Sequence, residues 1–426
     1  MRYTRQLDDG ARVAASAWAG YDRSLRAETV GQYPSDLENA SIRGGGRASW
    51  QRALTPWARL NVGVDVEALS ASLSRRGSLL RPAREGDVSV FGQAPTPDLN
   101  ADAWDVRQAL VAPYIELPMS FFGERLSVVA GLRLEASLTD VSRRFPAVGD
   151  APTYGTASLS LAPEPRLLVL GRVASWLQLK AAGGVYHAAP RPEDLSAVFG
   201  TPTLEGTRSV QGLAGATASL GRFVTFEAIG FARAALDLPA RVAGAPRVGS
   251  ALAPTGEALA YGAQFTLRCA PVHGFTGWAS YTVQRSEVTD REGATTRLSD
   301  YDQTHLFTAV GAMQLPLGFS VGARFRLLTG LPRTPVTGRF FDGLTGDYQP
   351  VFGATNSARL PTITSADLRV DKSFRVGRAE FVVYLDVLNV LNRPIAEEVL
   401  WDPTYTRQGY ISGLPIVADL GLRGAW

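Results

Sequence analysis

Apolar residues recur at every second position through almost the whole chain, and helical spacing is never sustained over a comparable window. A period of two sends alternate side chains to opposite faces of a strand, so the sequence predicts an all-β protein. Leu126, Val128, Ala130, Leu132, Leu134 and Ala136 alternate with Ser127, Val129, Gly131, Arg133, Glu135 and Ser137. Leu259 to Cys269, Phe275 to Val283 and Phe381 to Val387 repeat the pattern. The chain closes on it as well. From Leu414 to Trp426 the even positions are apolar or small, and the odd ones include Asp419 and Arg423.

The connections between these runs fall into two alternating classes. Short ones fall at Asp8–Gly10, Leu54–Trp57, Pro118–Gly123, Ala174–Trp176, Leu220–Arg222, Ala270–Gly274, Pro316–Gly318 and Arg375–Arg378. Long polar or Pro/Gly-rich ones fall at Tyr21–Ala40, Ala71–Ala103, Leu138–Glu164, Ala188–Glu205, Asp237–Thr255, Thr289–Ser299, Leu331–Leu360 and Asn392–Ser412. Such alternation is what up-and-down hairpins produce when one rim is trimmed and the other elaborated, the form of outer-membrane barrels. Strands of about 10–15 residues exceed the five or six usual in soluble sheets and suffice to cross a bilayer obliquely. One face apolar and the other rich in Arg, Glu, Gln, Ser, Thr and Asp fits lipid outside and water inside. The predicted fold is therefore a transmembrane antiparallel up-and-down β-barrel with about 17 strands, spanning residues 1–426 as one barrel domain.

Composition removes several alternatives. Lys and Arg (43) are interspersed with Asp and Glu (40), and no basic run argues for nucleic acid. Cys269 is the only cysteine, which excludes an internal disulfide and a multi-thiolate metal site. No apolar stretch reaches the length of a membrane helix, and Met1–Gly10 has no signal-peptide core. Eight short turns join sixteen strands, and Gly413–Trp426 makes a seventeenth. With short turns on the periplasmic side, Arg2–Leu7 descends from the extracellular rim. Bacterial single-chain barrels have even counts, so the odd count leads us to expect the C-terminal part of a larger barrel.

The stretch Gly256–Trp426 carries a more specific likeness. Its carriers are Tyr261-Gly-Ala-Gln-Phe-Thr-Leu-Arg268, Gly277-Trp-Ala-Ser-Tyr-Thr-Val-Gln-Arg-Ser286, Asp300-Tyr-Asp-Gln-Thr-His305 and Gly322-Ala-Arg-Phe-Arg-Leu-Leu-Thr-Gly330, followed by Asn356–Pro361, Asp367–Lys372, Tyr384–Arg393 and Gly421–Trp426. In this order they resemble the C-terminal barrel of TonB-dependent outer-membrane receptors, nearest to the myxobacterial-type branch. That resemblance implies a barrel of about 22 strands with a plugged lumen. It also implies uptake of a scarce ligand, a siderophore, other nutrient or glycan, powered through the TonB complex in the bacterial cell outer membrane. The chain departs from the family in its first part, which shows no TonB box and no plug domain. Implied partners are outer-membrane lipid, the barrel-assembly machinery, a small-molecule or glycan ligand, and TonB only through the plug.

No residue pattern supports an enzyme, and no catalytic, cofactor-binding or metal-binding residue is expected. His187, His273 and His305 lack close Cys or carboxylate spacing. Asp342–Asp347 lacks the ligand spacing of an EF-hand and reads as turn chemistry. Trp18, Tyr21, Trp57, Tyr114, Trp176, Tyr281 and Trp426 read as interface aromatics, whereas Trp278 shares the lumen-facing set. Arg268, Arg324 and Arg326, with Arg133 and Arg423, are expected to face the lumen, and Arg324 and Arg326 to meet plug carboxylates. Trp426 is the expected assembly signal. Ligand capture falls to the long connections, above all Ala71–Ala103 and Leu331–Leu360, with no side chain assigned. The alternatives are a plug-less passive porin or structural barrel, and a soluble all-β binding protein of the cytosol.

Overall fold

The structure, a computed structural model, describes residues 1–426 except 9, 31–32, 81–82, 92–98, 144–154, 243–247, 292–293 and 426; for 28–30 and 33 it describes the backbone alone. Nearly everything described is strand. The first half holds β1 (Arg2–Gln6), β2 (Arg12–Val30), β3 (Tyr33–Thr55), β4 (Ala58–Gly77), β5 (Asn100–Phe121), β6 (Leu126–Arg143), β7 (Gly155–Ala174) and β8 (Leu177–Ala188). Then come β9 (Thr207–Leu220), β10 (Val224–Arg241), β11 (Leu252–Val272), β12 (Phe275–Thr289), the two-residue β13 (Arg297–Leu298), β14 (His305–Leu315) and β15 (Phe319–Leu328). After β15 a long connection carries β16 (Pro332–Arg333), the hairpin β17 (Val336–Asp342) and β18 (Asp347–Phe352), and β19 (Ala358–Arg359). The last part is β20 (Ile363–Val376), β21 (Ala379–Leu388), the hairpin β22 (Ala396–Trp401) and β23 (Gln408–Ser412), and β24 (Val417–Ala425).

Among the described residues eighteen strands form one antiparallel sheet, each main strand laddered to the next main strand along the chain and β13 lying on β12. One of the eighteen is β13, which leaves seventeen main strands. β16 with β19, β17 with β18 and β22 with β23 pair separately. No ladder joins β1 to β24 among the described residues.

Seven of the eight short turns fall where the sequence places them, residue 9 lying outside the described residues. His273 and Gly274 both have positive φ, +48° and +83°, the backbone of a two-residue hairpin whose twist matches its strands. Two expectations are corrected. Tyr21–Ala40 is not a long loop: β2 and β3 run through it in register, from Tyr21↔Ile42 to Val30↔Tyr33. Pro118–Phe121 likewise remains in β5. Strands are also longer than expected, β3 reaching 23 residues. The reason is the same in each case. Where both faces of a ladder meet water, the backbone pairing continues but the hydrophobic alternation that reveals it fades.

The register sorts the faces. On β6 the even positions from Leu126 to Leu138 are apolar, with Leu132 48% and Leu138 46% exposed, and Asp140 and Ser142 follow. At about 3.3 Å per residue and a tilt near 45°, that run rises about 30 Å, the hydrocarbon thickness of a bilayer. The same face carries Phe265, Phe325, Leu385, Leu420 (73% exposed) and Leu422 (65%). A water-soluble sheet leaves no such band uncovered. The opposite face is charged and hydroxylated.

Candidate functional site

The four candidate side chains of the C-terminal half lie together on the polar face. Arg268 pairs in register with Trp278, Trp278 with Val310, Val310 with Arg324, and Arg324 with Asp367. One rung away Thr266, Ser280, Thr308, Arg326 and Ser365 form a parallel row. Arg324 donates through Nε to Asp367 at 2.6 Å, and Asp367 also accepts the Asn389 N–H at 2.9 Å. Arg326 donates to the Ser365 hydroxyl at 3.1 Å. Asp419 and Arg423 of β24 share this face by register with Asp386 and Val382. Trp426 lies outside the described residues.

Farther along the sheet the polar face is knit by charge. Asp65 accepts from Arg47 (2.9 Å) and from Arg133; Arg133 also approaches Glu164 at 3.5 Å, and Arg166 donates to Glu164 at 2.7 Å. Tyr114 belongs here and not to an interface girdle: its ring packs over Gly63, with the Arg47 guanidinium 6.0 Å from its centroid. The unbroken register places Tyr114 opposite Gly63 and Arg133, so alternation alone carries the ring to this face.

The long connections do not hang free. The β8–β9 connection turns in over the polar face of β3–β6, where Leu195 and Leu204 join Leu37, Leu73, Trp104, Val106, Val141 and Leu252 in a buried cluster. Trp104 Nε1 donates to the Pro192 carbonyl at 2.9 Å, and the Ser196 hydroxyl to Asp102 at 2.6 Å. The neighbouring connections brace one another. Glu85 accepts from the Ser299 hydroxyl (2.6 Å), Asn356 donates to Asp300 (2.7 Å), and Arg333 grips Glu398 through two bonds of 2.8 and 2.9 Å.

Between these braced connections lies a cavity of about 940 Å³. Its aromatic walls are Phe91, Tyr301, Phe352, Trp401 and Tyr410, with Ser89, Thr334, Asn356 and Gln408 among its neutral polar groups. Tyr301 is 73% exposed and Phe91 55%. Every charged residue on its wall has a partner: Asp87 with Arg241, Asp300 with Arg297, Arg333 with Glu398, and Arg359 with Asp302. Ala71–Ala103 and Leu331–Leu360, singled out by their length and polarity, both contribute. Trp401 and Tyr410 come from Asn392–Ser412, another of the long connections, whereas Tyr301 lies just beyond Thr289–Ser299; none of the three was singled out from the sequence.

Beneath the cavity's edge the Trp401–Asp402 turn is held by its own carboxylate. Although desolvation would raise Asp402, backbone N–H donors of Arg407 (3.2 Å) and Thr406 (2.8 Å) and the hydroxyls of Thr406 and Thr404 hold it well below the usual carboxylate range. His273 sits in its short turn. His305 opens β14 beside the long connections, accepting or donating with Tyr281 at 2.8 Å through Nδ1. Asp342 holds the β17–β18 turn by accepting the Leu344 N–H at 2.9 Å.

No protein-family model matches the chain, and no curated protein does. Solved structures are similar in fold. The unliganded ferric citrate transporter FecA superposes with a TM-score of 0.72 at 14% identity, over 100% of this chain and 60% of its own. The siderophore receptor PiuA from Acinetobacter baumannii gives 0.70 at 11%, over 99% and 63%. The ferric yersiniabactin uptake receptor FyuA from Yersinia pestis gives 0.68 at 13%, over 99% and 59%. At these identities the likeness shows the fold. The chain spans about 60% of the length of these structures.

Proposed function

We propose that this chain is the barrel part of a TonB-dependent outer-membrane receptor that captures a small-molecule or glycan ligand at the rim of its long connections. The observation that carries the reading is the 940 Å³ aromatic cavity, set above a wall that is charged inside and apolar outside. Ferric siderophore, iron and copper names among the similar structures support uptake as the activity. Because the wall charges are all mutually matched, the cavity favours a ligand recognised by ring stacking and neutral hydrogen bonds. That the chain spans about 60% of the similar structures supports a parent of about 22 strands with a plug that couples to TonB.

In that parent the row from Arg268 through Trp278 to Arg324, with Arg326 beside it, lines the lumen. There Arg324, which shares Asp367, and Arg326, bonded to Ser365, are the cations that would meet plug carboxylates. Trp426 acts as the signal read by the barrel-assembly machinery.

Quenching of tryptophan fluorescence by a panel of neutral oligosaccharides and by citrate tests the ligand reading. Saturable quenching by a neutral sugar, weakened about tenfold by Tyr301→Ala, is expected. Saturation by citrate alone would refute it. The receptor reading stands separately on fractionation, where recovery of the chain in the soluble fraction would sink it.

A further inference from the structure

The sheet is parted between β7 and β8. Their ladder runs from Ala174↔Leu177 to Arg166↔Gly184 and stops, although β7 continues back to Gly155 and β8 on to Ala188. Over residues 155–165 β7 is laddered to β6 alone. Among the described residues nothing takes the backbone groups on its other side.

Three features build this parting into the residues. Pro163 and Pro165 have no N–H to offer, and a sheet tolerates proline at an edge. At the point of separation the buried Glu164 carboxylate replaces a ladder partner, Oε1 accepting the His187 backbone N–H at 2.7 Å. Arg166 and Arg133 fix that carboxylate from behind. Beyond it a cavity of about 520 Å³ opens, lined by Ser158 and Ser160 of β7, by Glu135 of the adjoining β6, by Glu205, and by the Arg208–Asp237 pair. Leu159 and Leu161, 69% and 63% exposed, form the outer lip.

The edge lies at the height of the apolar band, since Leu159 pairs with Leu138 and Pro163 with Leu134. Unpaired backbone is costly at that depth, and an unpaired edge is a template for another strand. We propose that the β7–β8 cleft is a docking site for an extended peptide strand that adds to β7. Its outward side chains are apolar, to continue Leu159 and Leu161. Its inward ones are hydroxylated or cationic, because Glu205 has no ion pair among the described residues and Glu135 reaches Arg133 only at 3.9 Å. β1 and β24 also have open edges, but they end the sheet, whereas this edge interrupts it.

The test uses the full chain in detergent and a labelled synthetic peptide alternating valine with lysine or threonine, followed by fluorescence anisotropy. Leu161→Pro extends the register of Pro163 and Pro165, so it removes an edge donor and spares the β6 ladder. Binding is expected to weaken about tenfold in Leu161→Pro and to hold in Leu161→Ala. A second readout places a cysteine at Ser160 or, as control, at Ser127 in a Cys269→Ser background, with a bromoacetylated peptide; crosslinking at Ser160 alone is expected. Absence of binding, equal binding by a scrambled peptide, or binding and crosslinking indifferent to these positions would overturn the proposal, the last placing the peptide on β1 or β24.

Discussion

At the scale of single residues, the polar wall is stabilised by charges that have been withdrawn from water in matched sets. Asp65 shows the logic: its side chain is 9% exposed and serves both Arg133, 16% exposed, and Arg47, 63% exposed. Asp65→Ala takes the nearest carboxylate from Arg133, leaving it Glu164 at 3.5 Å and Glu135 at 3.9 Å, and removes the partner of Arg47. Removing one partner of a buried pair costs about 3–5 kcal/mol, and exposure of Arg47 reduces this toward about 2 kcal/mol. The expected outcome is a lower unfolding midpoint in detergent, restored in part by Asp65→Glu; an unchanged midpoint would show the network to be solvated. Asp402 gives a pH signature. Its folded pKa is depressed, so its contribution is present above the unfolded carboxylate value of about 4 and is lost progressively as pH falls from there through the folded value. Amides of residues 402–407 should lose exchange protection progressively as pH falls from about 4 to about 2, and Asp402→Asn should remove that dependence.

Elements obey a rule that single residues do not reveal, namely which face of a ladder meets lipid. β24 presents Leu420 and Leu422 to one side and Asp419 and Arg423 to the other. Leu420→Arg is expected to destabilise the chain by about 2–4 kcal/mol in bilayers, measured as a reduced midpoint of heat-modifiable gel migration. The same substitution at Asp419, on the wet face, should have little effect. Equal effects at the two positions would mean that the faces are not in different solvents. The end of β24 bears on assembly, and deletion of Trp426 should lower the amount of chain reaching the outer membrane. An unchanged amount would remove Trp426 from that role. Elements also show where alternation misleads. β2 and β3 pair across Tyr21–Ala40, because Arg23 and Glu38 are both exposed and bridge each other at 2.7 Å, so neither strand needs an apolar face there.

For the whole molecule, local sequence determined the fold class, the short turns and the assignment of faces. Each depends on residues close together in the chain: a period of two, a Gly beside a His in a hairpin, a Pro pair at an edge. Seventeen main strands could be counted for the same reason, since each is bounded by a turn with its own chemistry. The cavity was a different matter. Glu85 and Ser299 meet across 214 positions, and Arg333 and Glu398 across 65. Nothing in either segment says which distant segment will brace it, so Tyr301, Trp401 and Tyr410 could not be gathered into one site from the sequence. The parting of β7 from β8 was likewise decided only in three dimensions, because Glu164 reads as an ordinary polar strand residue until its carboxylate is seen to accept the His187 N–H. Periodicity records which solvent each face meets, and that is a local property. Which loops touch, and where a ladder stops, depends on the balance of long-range contacts against chain entropy, and that balance was struck by the tertiary structure.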